Sequence, residues 1–439
     1  MGRATLFTFL FLVGCVHLQP VQGADGRINI KFCRNATQKE KRDFFARHNL
    51  TAVAQNIFGY DVAEWRGQTP RIIKPLFKAV DHCTGKNPPD EMLVRDFEVE
   101  RKRLTRPVLV RRLAPKKIKK TPVLAKVSTP WVEALIQSEK AHKFLDEKGV
   151  ALWANGIVFA DEGINFSHPD IKPALKYGND KKPIFWMAKG RRISDFEGGH
   201  CGFVACLAAG YRDGKGAEGV AAKNAYILPL MLRFGLHSGS FVSDLAIGLA
   251  HYMELEKKGE ISFHVVNMSF TLGQDSRIVY AAMKHMKEKL FVVAGGNSGF
   301  DNIPKNIDED KNWPASWELP NIITVIATDK DDNFAINVSN YGPTRVDIAA
   351  PGENVASCKD KDGYAIQSGT SFSTALVSGA VSLLYSINPF MDEESAKYAL
   401  LLGATAKHNL MDRVRKGRRL DVYASARLVY DLMYGLYEK

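Results

Sequence analysis

Six segments in the later part of the chain are predominantly apolar: GIVFAD (156–161), AYILPLML (225–232), HVVNMSF (264–270), LFVVAGG (290–296), NIITVIAT (321–328) and RVDIAA (345–350). A strand that faces water on one side alternates apolar with polar residues. A strand without that alternation is buried on both faces. Helical patterns over about 200–209, 241–257 and 276–289 separate these segments, and two more follow at 392–405 and 421–435. Doubly buried strands alternating with helices imply an α/β fold with a doubly wound, mostly parallel sheet. In such sheets the active site lies outside the C-terminal ends of the strands.

The stretch SGTSFSTALVSGAVSLL (368–384) is the most informative for chemistry. Val377, Ala380, Val381 and Leu384 fall at i, i+3, i+4 and i+7, one buried helical face. Ser371 then stands in the first turn of a buried helix. The unpaired N–H groups and partial positive charge of a helix start can hold an oxyanion. Gly369 leaves room for the backbone of a docked peptide. A plain helix cap reads equally well from this stretch alone. Three further polar residues stand where strands or helices open toward the same edge. Asp161 ends GIVFAD, His200 opens GHCGFVACLAAG, and Asn297 follows a strand in VVAGGNSG. Singly, each fits a turn or a structural role. In the order Asp, His, Ser they match one of three orders in which a catalytic triad recurs.

The N-terminus supplies a compartment. Arg3 precedes the apolar run Leu6 to Val16, and Val21 and Gly23 are small residues at signal-peptidase positions. Residues 1–23 read as a secretory signal, too short to serve as a stable membrane anchor. Of six cysteines, Cys15 leaves with the signal. Cys33 and Cys83 can pair with each other in an oxidising compartment. Cys201, Cys206 and Cys358 leave at least one thiol free or paired between chains, and Cys201 and Cys206 share one helix in a way that disfavours a bridge. Glycosylation sequons begin at Asn35, Asn49, Asn165, Asn267 and Asn337, and Asn267 lies within an apolar strand.

The net charge of +12 suggests a nucleic-acid partner until it is located. Residues 101–120 hold ten Lys or Arg and no acid, so the rest of the chain carries only +2. A block that local reads as a solvated, protease-accessible linker, not as a nucleic-acid surface. Before it, a strand at 28–32, a helix at 38–50, a polar region and a helix or turn running into a strand at 89–104 form a small α+β module. The organisation is therefore a signal peptide (1–23), a small N-terminal domain (24–100), a basic cleavable linker (101–124) and a large α/β domain (125–435).

The pieces VFADEGINFSHPDI, GHCGFVACLAAG, VVNMSF, VVAGGNSG, RVDIAAPGENVAS and SGTSFSTALVSGAVSLL occur in order over about residues 125–432. Together they resemble the subtilases, the subtilisin-like serine proteases. DEGINFSHPDI has some flavour of the proprotein-convertase branch. The resemblance implies a secreted serine endopeptidase with Ser371 as nucleophile, His200 as general base and acid, and Asp161 orienting the imidazole. Asn297 completes an oxyanion hole. It places a protein or peptide substrate as an added strand beside Ser269, Phe270 and Thr271, with the pocket for the residue before the cleaved bond between them and Ala294, Gly295 and Gly296. Acids such as Asp195 or Glu197 are candidates to select basic side chains.

The small N-terminal domain resembles the subtilase propeptide, ferredoxin-like, an intramolecular chaperone and inhibitor. No cofactor is implied for the chemistry. Asp170 matches a calcium-ligating Asp of bacterial subtilisins, so Ca2+ is a candidate structural ion. Four positions depart from the family pattern: Glu162 after the acid, Cys201 and Phe203 after the histidine, and Ala375 in place of a proline. A secreted binding protein on an inactive subtilase scaffold is the alternative.

Overall fold

The structure, a computed structural model, describes residues 26–32, 36–58, 60–65, 94–100, 129–188, 199–221, 223, 225–233, 240–299, 302–359 and 362–435. The signal sequence, the basic linker, Cys33, Cys83, Asn35, Asp195 and Glu197 lie outside these residues. The chain divides into two compact units.

The N-terminal part of the chain contains strand β1 (Gly26–Phe32), helix α1 (Gln38–Arg47) and strands β2 (Thr51–Ile57), β3 (Tyr60–Trp65) and β4 (Val94–Glu100). The sheet order is β2-β3-β1-β4. Ile28, Ile30 and Phe32 alternate on one face of β1 and pack with Phe44 and Phe45 of α1. Thr37 caps α1 reciprocally: its hydroxyl accepts the Glu40 N–H, and the Glu40 carboxylate accepts the Thr37 N–H at 2.7 Å. The β2–β3 pair falls in a stretch that reads as polar and irregular. Most of β2 is exposed, so burial prints no period-2 pattern there.

The larger unit begins with two helices, α2 (Pro130–Ile136) and α3 (Ser138–Glu147), and strand β5 (Asn155–Asp161). Then come β6 (Trp186–Met187), α4 (His200–Ala209), β7 (Ala225–Met231), α5 (Val242–Lys257), β8 (Phe263–Met268), α6 (Arg277–His285) and β9 (Leu290–Ala294). β10 (Ile322–Thr328), β11 (Ile348–Pro351), β12 (Val355–Lys359) and β13 (Gly363–Gln367) precede α7 (Thr370–Ile387). The unit closes with α8 (Glu393–Gly403), β14 (Thr405–Ala406), β15 (Arg418–Arg419) and α9 (Val422–Tyr434).

Nine strands form one sheet in the order β14-β15-β11-β10-β9-β8-β5-β7-β6. Every described pairing from β15 to β6 is parallel; β14 alone runs against its neighbour. β7 pairs with one side of β5 and β8 with the other, so the winding reverses beside β5. That reversal opens a crevice at the C-terminal end of β5, where Asp161 stands. β5, β9 and β10 are buried at every position, which accounts for their unbroken apolarity.

Helix α7 is the core of the larger unit. Its 18 residues are apolar enough by composition to cross a membrane, yet all are buried inside the protein. It packs against α4 closely enough that a side chain at Gly379 would meet the Ala208 carbonyl at 2.6 Å. Asn267 is fully buried, its amide donating to Ser378 Oγ at 2.9 Å, so that sequon is closed to a glycan. Cys206 of α4 and Cys358 of β12 form a disulfide with Cα atoms 6.0 Å apart, and Cys201 is a free buried thiol.

Two histidines, His142 on α3 and His264 on β8, set an acid limit on this unit. His142 donates to the Val220 carbonyl at 3.0 Å; burial, with the Arg212 charge, pushes its pKa down to about 4. His264 stacks on Tyr385 with ring centres 4.1 Å apart; burial, with Lys289, pushes it to about 4 as well. Both folded values lie below the ordinary 6.5, so below that pH the unfolded chain binds protons that the folded chain refuses. Stability is full at neutral pH and is lost as pH falls from about 6.5 toward 4. At pH 5 the loss should be on the order of 2 kcal/mol per histidine. Denaturant titrations of a Ser371→Ala protein at pH 7 and 5 measure it, and a His142→Gln, His264→Gln double variant should flatten the difference. An equal pH slope in that variant would rule these residues out.

Candidate active site

Asp161 is the last residue of β5 and is fully buried. Its Oδ1 accepts the Glu162 N–H at 2.7 Å. His200 is the first residue of α4, after Gly199 at the cap. Its Nδ1 lies 2.8 Å from Asp161 Oδ1 and 3.0 Å from Oδ2, so Nδ1–H donates to the carboxylate and the lone pair is left on Nε2. The imidazole retains partial solvent access while the carboxylate has almost none. A buried carboxylate needs such a partner, because an uncompensated charge at that depth is costly.

Ser371 is the second residue of α7 and is buried. Its hydroxyl donates to the Ser269 carbonyl at 3.0 Å, just past the end of β8. The Ser269 hydroxyl lies 2.9 Å from both the Ser371 carbonyl and Asn267 Oδ1 and can donate to either. The start of α7 is thus tied to the end of β8 from both sides. The His200 ring centre is 6.0 Å from that of Phe372, the residue after Ser371. Phe372 in turn stacks at 4.4 Å on Phe203 of α4. These contacts bring the starts of α4 and α7 together at the end of β5.

Asn297 lies at the same place. Its Oδ1 accepts both the Thr370 N–H at 3.0 Å and the Thr370 hydroxyl at 2.8 Å. Two donors on one atom identify that atom as the oxygen and turn the amide nitrogen the other way. That nitrogen stands 3.6 Å from where a Cβ on Gly369 would be. The Thr370 N–H is engaged by Asn297 and the Phe372 N–H by the Gly369 carbonyl at 3.1 Å; neither uses the Ser371 N–H. Gly369 itself is extended, and a side chain there would make only ordinary contacts within the chain.

The remaining candidates fall into place unevenly. Ala294 ends β9, and Gly296 has φ +93°, a conformation that favours glycine. Any Cβ at Gly296 would strike Asn312 Nδ2, which donates to the Gly295 carbonyl at 2.8 Å. Asn312 braces this wall from a distant loop, and no local sequence signal marks it. Ser269 and Phe270 are buried and Thr271 is half-buried, so what the first two offer a peptide is backbone. Thr370 was also missed as an orienting residue, although the Gly-Thr-Ser spelling contains it.

The departures from the family pattern leave the pair intact. Glu162 is buried beside Asp161. Burial pushes the Cys201 thiol well above its ordinary value, and the Asp161 and Glu162 charges add to this, so it stays protonated. Asp170 belongs to a different group. Its Oδ2 accepts the Ala217 N–H at 2.7 Å and the Tyr364 hydroxyl at 2.9 Å, and Cys358 Sγ lies 3.7 Å away. Calcium takes six or more oxygens. Among the described residues the metal-binding types gathered with Asp170 are His168 and the two disulfide cysteines, a set that does not suit calcium.

A model of the subtilase family matches residues 157–418. The chain belongs to the subtilase family. Over 265 residues it is 31% identical to Subtilisin Savinase of Lederbergia lenta, covering 60% of this chain and 86% of that one. The alkaline protease of Alkalihalobacillus alcalophilus is 31% identical over 264 residues, 60% of this chain and 61% of the relative. Subtilisin-like protease 3 of Plasmodium falciparum is 28% identical over 248 residues, and this subtilase spans only 31% of its length. Fervidolysin from Fervidobacterium pennivorans, a keratinolytic enzyme related to subtilisin, shares the fold with a TM-score of 0.67 at 18% identity. That match covers 93% of this chain and 62% of the other. Subtilases need no cofactor for their chemistry.

Thr370→Val removes one of the two bonds that orient the Asn297 amide. Hydrolysis of a peptide substrate should then lose about fivefold in kcat with KM little changed, as expected for one hydrogen bond of roughly 1 kcal/mol. An unchanged kcat would mean that the Thr370 N–H alone fixes Asn297.

Proposed function

We propose that this subtilase is a secreted serine endopeptidase, made as a zymogen, that cleaves peptide bonds through an acyl-enzyme. The observation that carries this reading is the 2.8 Å bond from His200 Nδ1 to a fully buried Asp161. It turns Nδ1–H toward the carboxylate and so puts the lone pair on Nε2.

The steps follow from the groups present. Ser371 Oγ attacks the carbonyl carbon of the scissile bond as His200 Nε2 takes the hydroxyl proton. To do so the hydroxyl gives up its bond to the Ser269 carbonyl. Asp161 holds the tautomer and stabilises the imidazolium. The oxyanion of the tetrahedral intermediate is held by the Ser371 N–H and the Asn297 amide. His200 returns its proton to the leaving amine, the C–N bond breaks, and the acyl group stays on Ser371. Water repeats the sequence and releases the acid. Backbone beside Ser269, Phe270 and Thr271 on one side, and Ala294, Gly295 and Gly296 on the other, would receive the substrate as an added strand.

The domain plan of the sequence supports regulation by the chain itself. Residues 24–100 would fold with the catalytic domain (125–435) and block its cleft until the linker (101–124) is cut. Candidate cuts follow Arg103, Arg106, Arg112 or Lys120. The signal sequence and sequons assign the protein to the secretory pathway as a glycoprotein, with peptide and protein substrates and no nucleic acid.

A fluorophosphonate probe tests the reading directly. It should label the wild-type protein at Ser371 after limited proteolysis of the linker, and should not label Ser371→Ala. Failure to label folded wild-type protein both before and after linker cleavage would favour the inactive binding protein. Asn297→Ala should cost roughly 10²–10³ in kcat, the magnitude of the same loss in a subtilisin. If maturation is autocatalytic, Ser371→Ala should remain one chain where wild type is cut. Identical masses for the two would count against self-processing.

A further inference from the structure

His168, Asp170, Cys206 and Cys358 are all buried, and one donor atom from each lies within 4.8 Å of the others. His168 and Asp170 sit in the segment after β5, Cys206 on α4 and Cys358 on β12. The two cysteines are joined as a disulfide. We propose that, when this disulfide is reduced, the four side chains bind one zinc-class divalent cation, so that disulfide and metal are alternative closures of the same joint.

The donor set argues for that class of ion. Two thiolates, an imidazole and a carboxylate are the ligands of tetrahedral zinc, and they are too few and too soft for calcium. Bond lengths of about 2.0–2.3 Å put the donors of such a site roughly 3.3–3.8 Å apart. The cluster therefore needs to tighten by about 1 Å, while the sulphurs separate to a similar distance by side-chain rotation.

The surroundings are also those of a metal site. His168 Nε2–H donates to the Gly363 carbonyl at 3.2 Å, which fixes the tautomer and leaves the lone pair on Nδ1. That lone pair now accepts the Asp170 N–H at 3.2 Å and is free to exchange it for a cation. Asp170 Oδ2 is held by the Tyr364 hydroxyl and the Ala217 N–H. Metal-bound histidines and carboxylates are oriented by this kind of outer bond.

The chemistry balances. A dithiol reduces the disulfide to two thiols and becomes a cyclic disulfide. Metal binding then displaces one proton from each thiol, and the metal changes no oxidation state. In either form β12 stays fastened to α4, the helix that begins with His200.

The test uses full-length Ser371→Ala protein, which cannot digest itself. It is reduced anaerobically with a dithiol, freed of reductant and titrated with Co2+, then with Zn2+ in competition. We expect one Co2+ per chain with a thiolate-to-cobalt charge-transfer band and tetrahedral ligand-field absorption, both displaced by Zn2+. The oxidised protein should show neither. Cys206→Ser should abolish the band, and His168→Gln and Asp170→Asn should each weaken binding at least tenfold. Cys201→Ala should change nothing. Circular dichroism checks that each variant is folded, and if Cys206→Ser is not, His168→Gln and Asp170→Asn decide. Absence of the band in reduced protein, its persistence in folded Cys206→Ser, or full affinity in both His168→Gln and Asp170→Asn would overturn the proposal.

Discussion

The larger unit depends on how α7 is held against the sheet. Apolar packing supplies most of the driving force, but it has no direction and would tolerate a helix that slides or turns. The hydroxyls along α7 do not. Thr374 and Ser378 donate to the carbonyl four residues back, each at 2.8 Å, while Ser373 Oγ lies within reach of the Ala350 and Pro351 carbonyls beside β11. Asn155 of β5 donates to the Ser382 carbonyl and to Ser386 Oγ and accepts from the Ser382 hydroxyl at 2.9 Å. Asn267 of β8 reaches Ser378. The Thr374 and Ser378 bonds lie within the helix and would move with it, but a shift of α7 by one residue would break the pairs to β5, β8 and β11 and leave polar atoms buried without partners, each costing roughly 1–3 kcal/mol. Register along the helix is therefore fixed by polar bonds inside an apolar core.

That register determines where Ser371 falls. The helix ends its inward run at a point set by Asn155 and Asn267, and its other end meets Ser269 through two opposed bonds. The histidine arrives by an independent route. α4 is buried at Cys201 through Ala209 and carries small residues where it meets α7, so its first residue projects from a rigid base. The carboxylate comes from a third rigid element, the buried end of β5. Both members of the Asp161–His200 pair stand at the ends of rigid elements, which fixes their 2.8 Å separation.

Much of this was legible in the sequence, for identifiable reasons. Unbroken apolarity reports burial on both faces, so β5, β9 and β10 could be read within a residue or two. HVVNMSF overran, because Ser269 and Phe270 remain buried after the β8 ladder stops at Met268. Helices α2 and α3 went unread, as did the β2–β3 pair: β2 is mostly exposed and imposes no pattern, and β3 is buried from Tyr60 to Ala63 without alternation. The disulfide partner of Cys206 could not be read, since 152 residues separate it from Cys358 and nothing local records their meeting. The same holds for Asn312 behind Gly296 and for Thr370 on Asn297. Residues that act by orienting another side chain leave no periodicity, and only the folded geometry exposes them.

The substitution of Ala375 for the family's proline is best understood through the same bonds. Residue 375 lies four positions after Ser371, where a helix residue donates its N–H to the Ser371 carbonyl. Proline has no N–H to give. In a chain with proline there, the carbonyl would depend on an outside donor such as the Ser269 hydroxyl, which sits 2.9 Å away here. Alanine restores the internal donor, so this carbonyl can be satisfied twice over, and Ser269 Oγ is released to bond Asn267 Oδ1 at an equal distance. Ala375 is fully buried, and its small side chain adds no bulk in the first turns of α7. The departure thus strengthens the first turn of α7 and gives Ser269 a second acceptor.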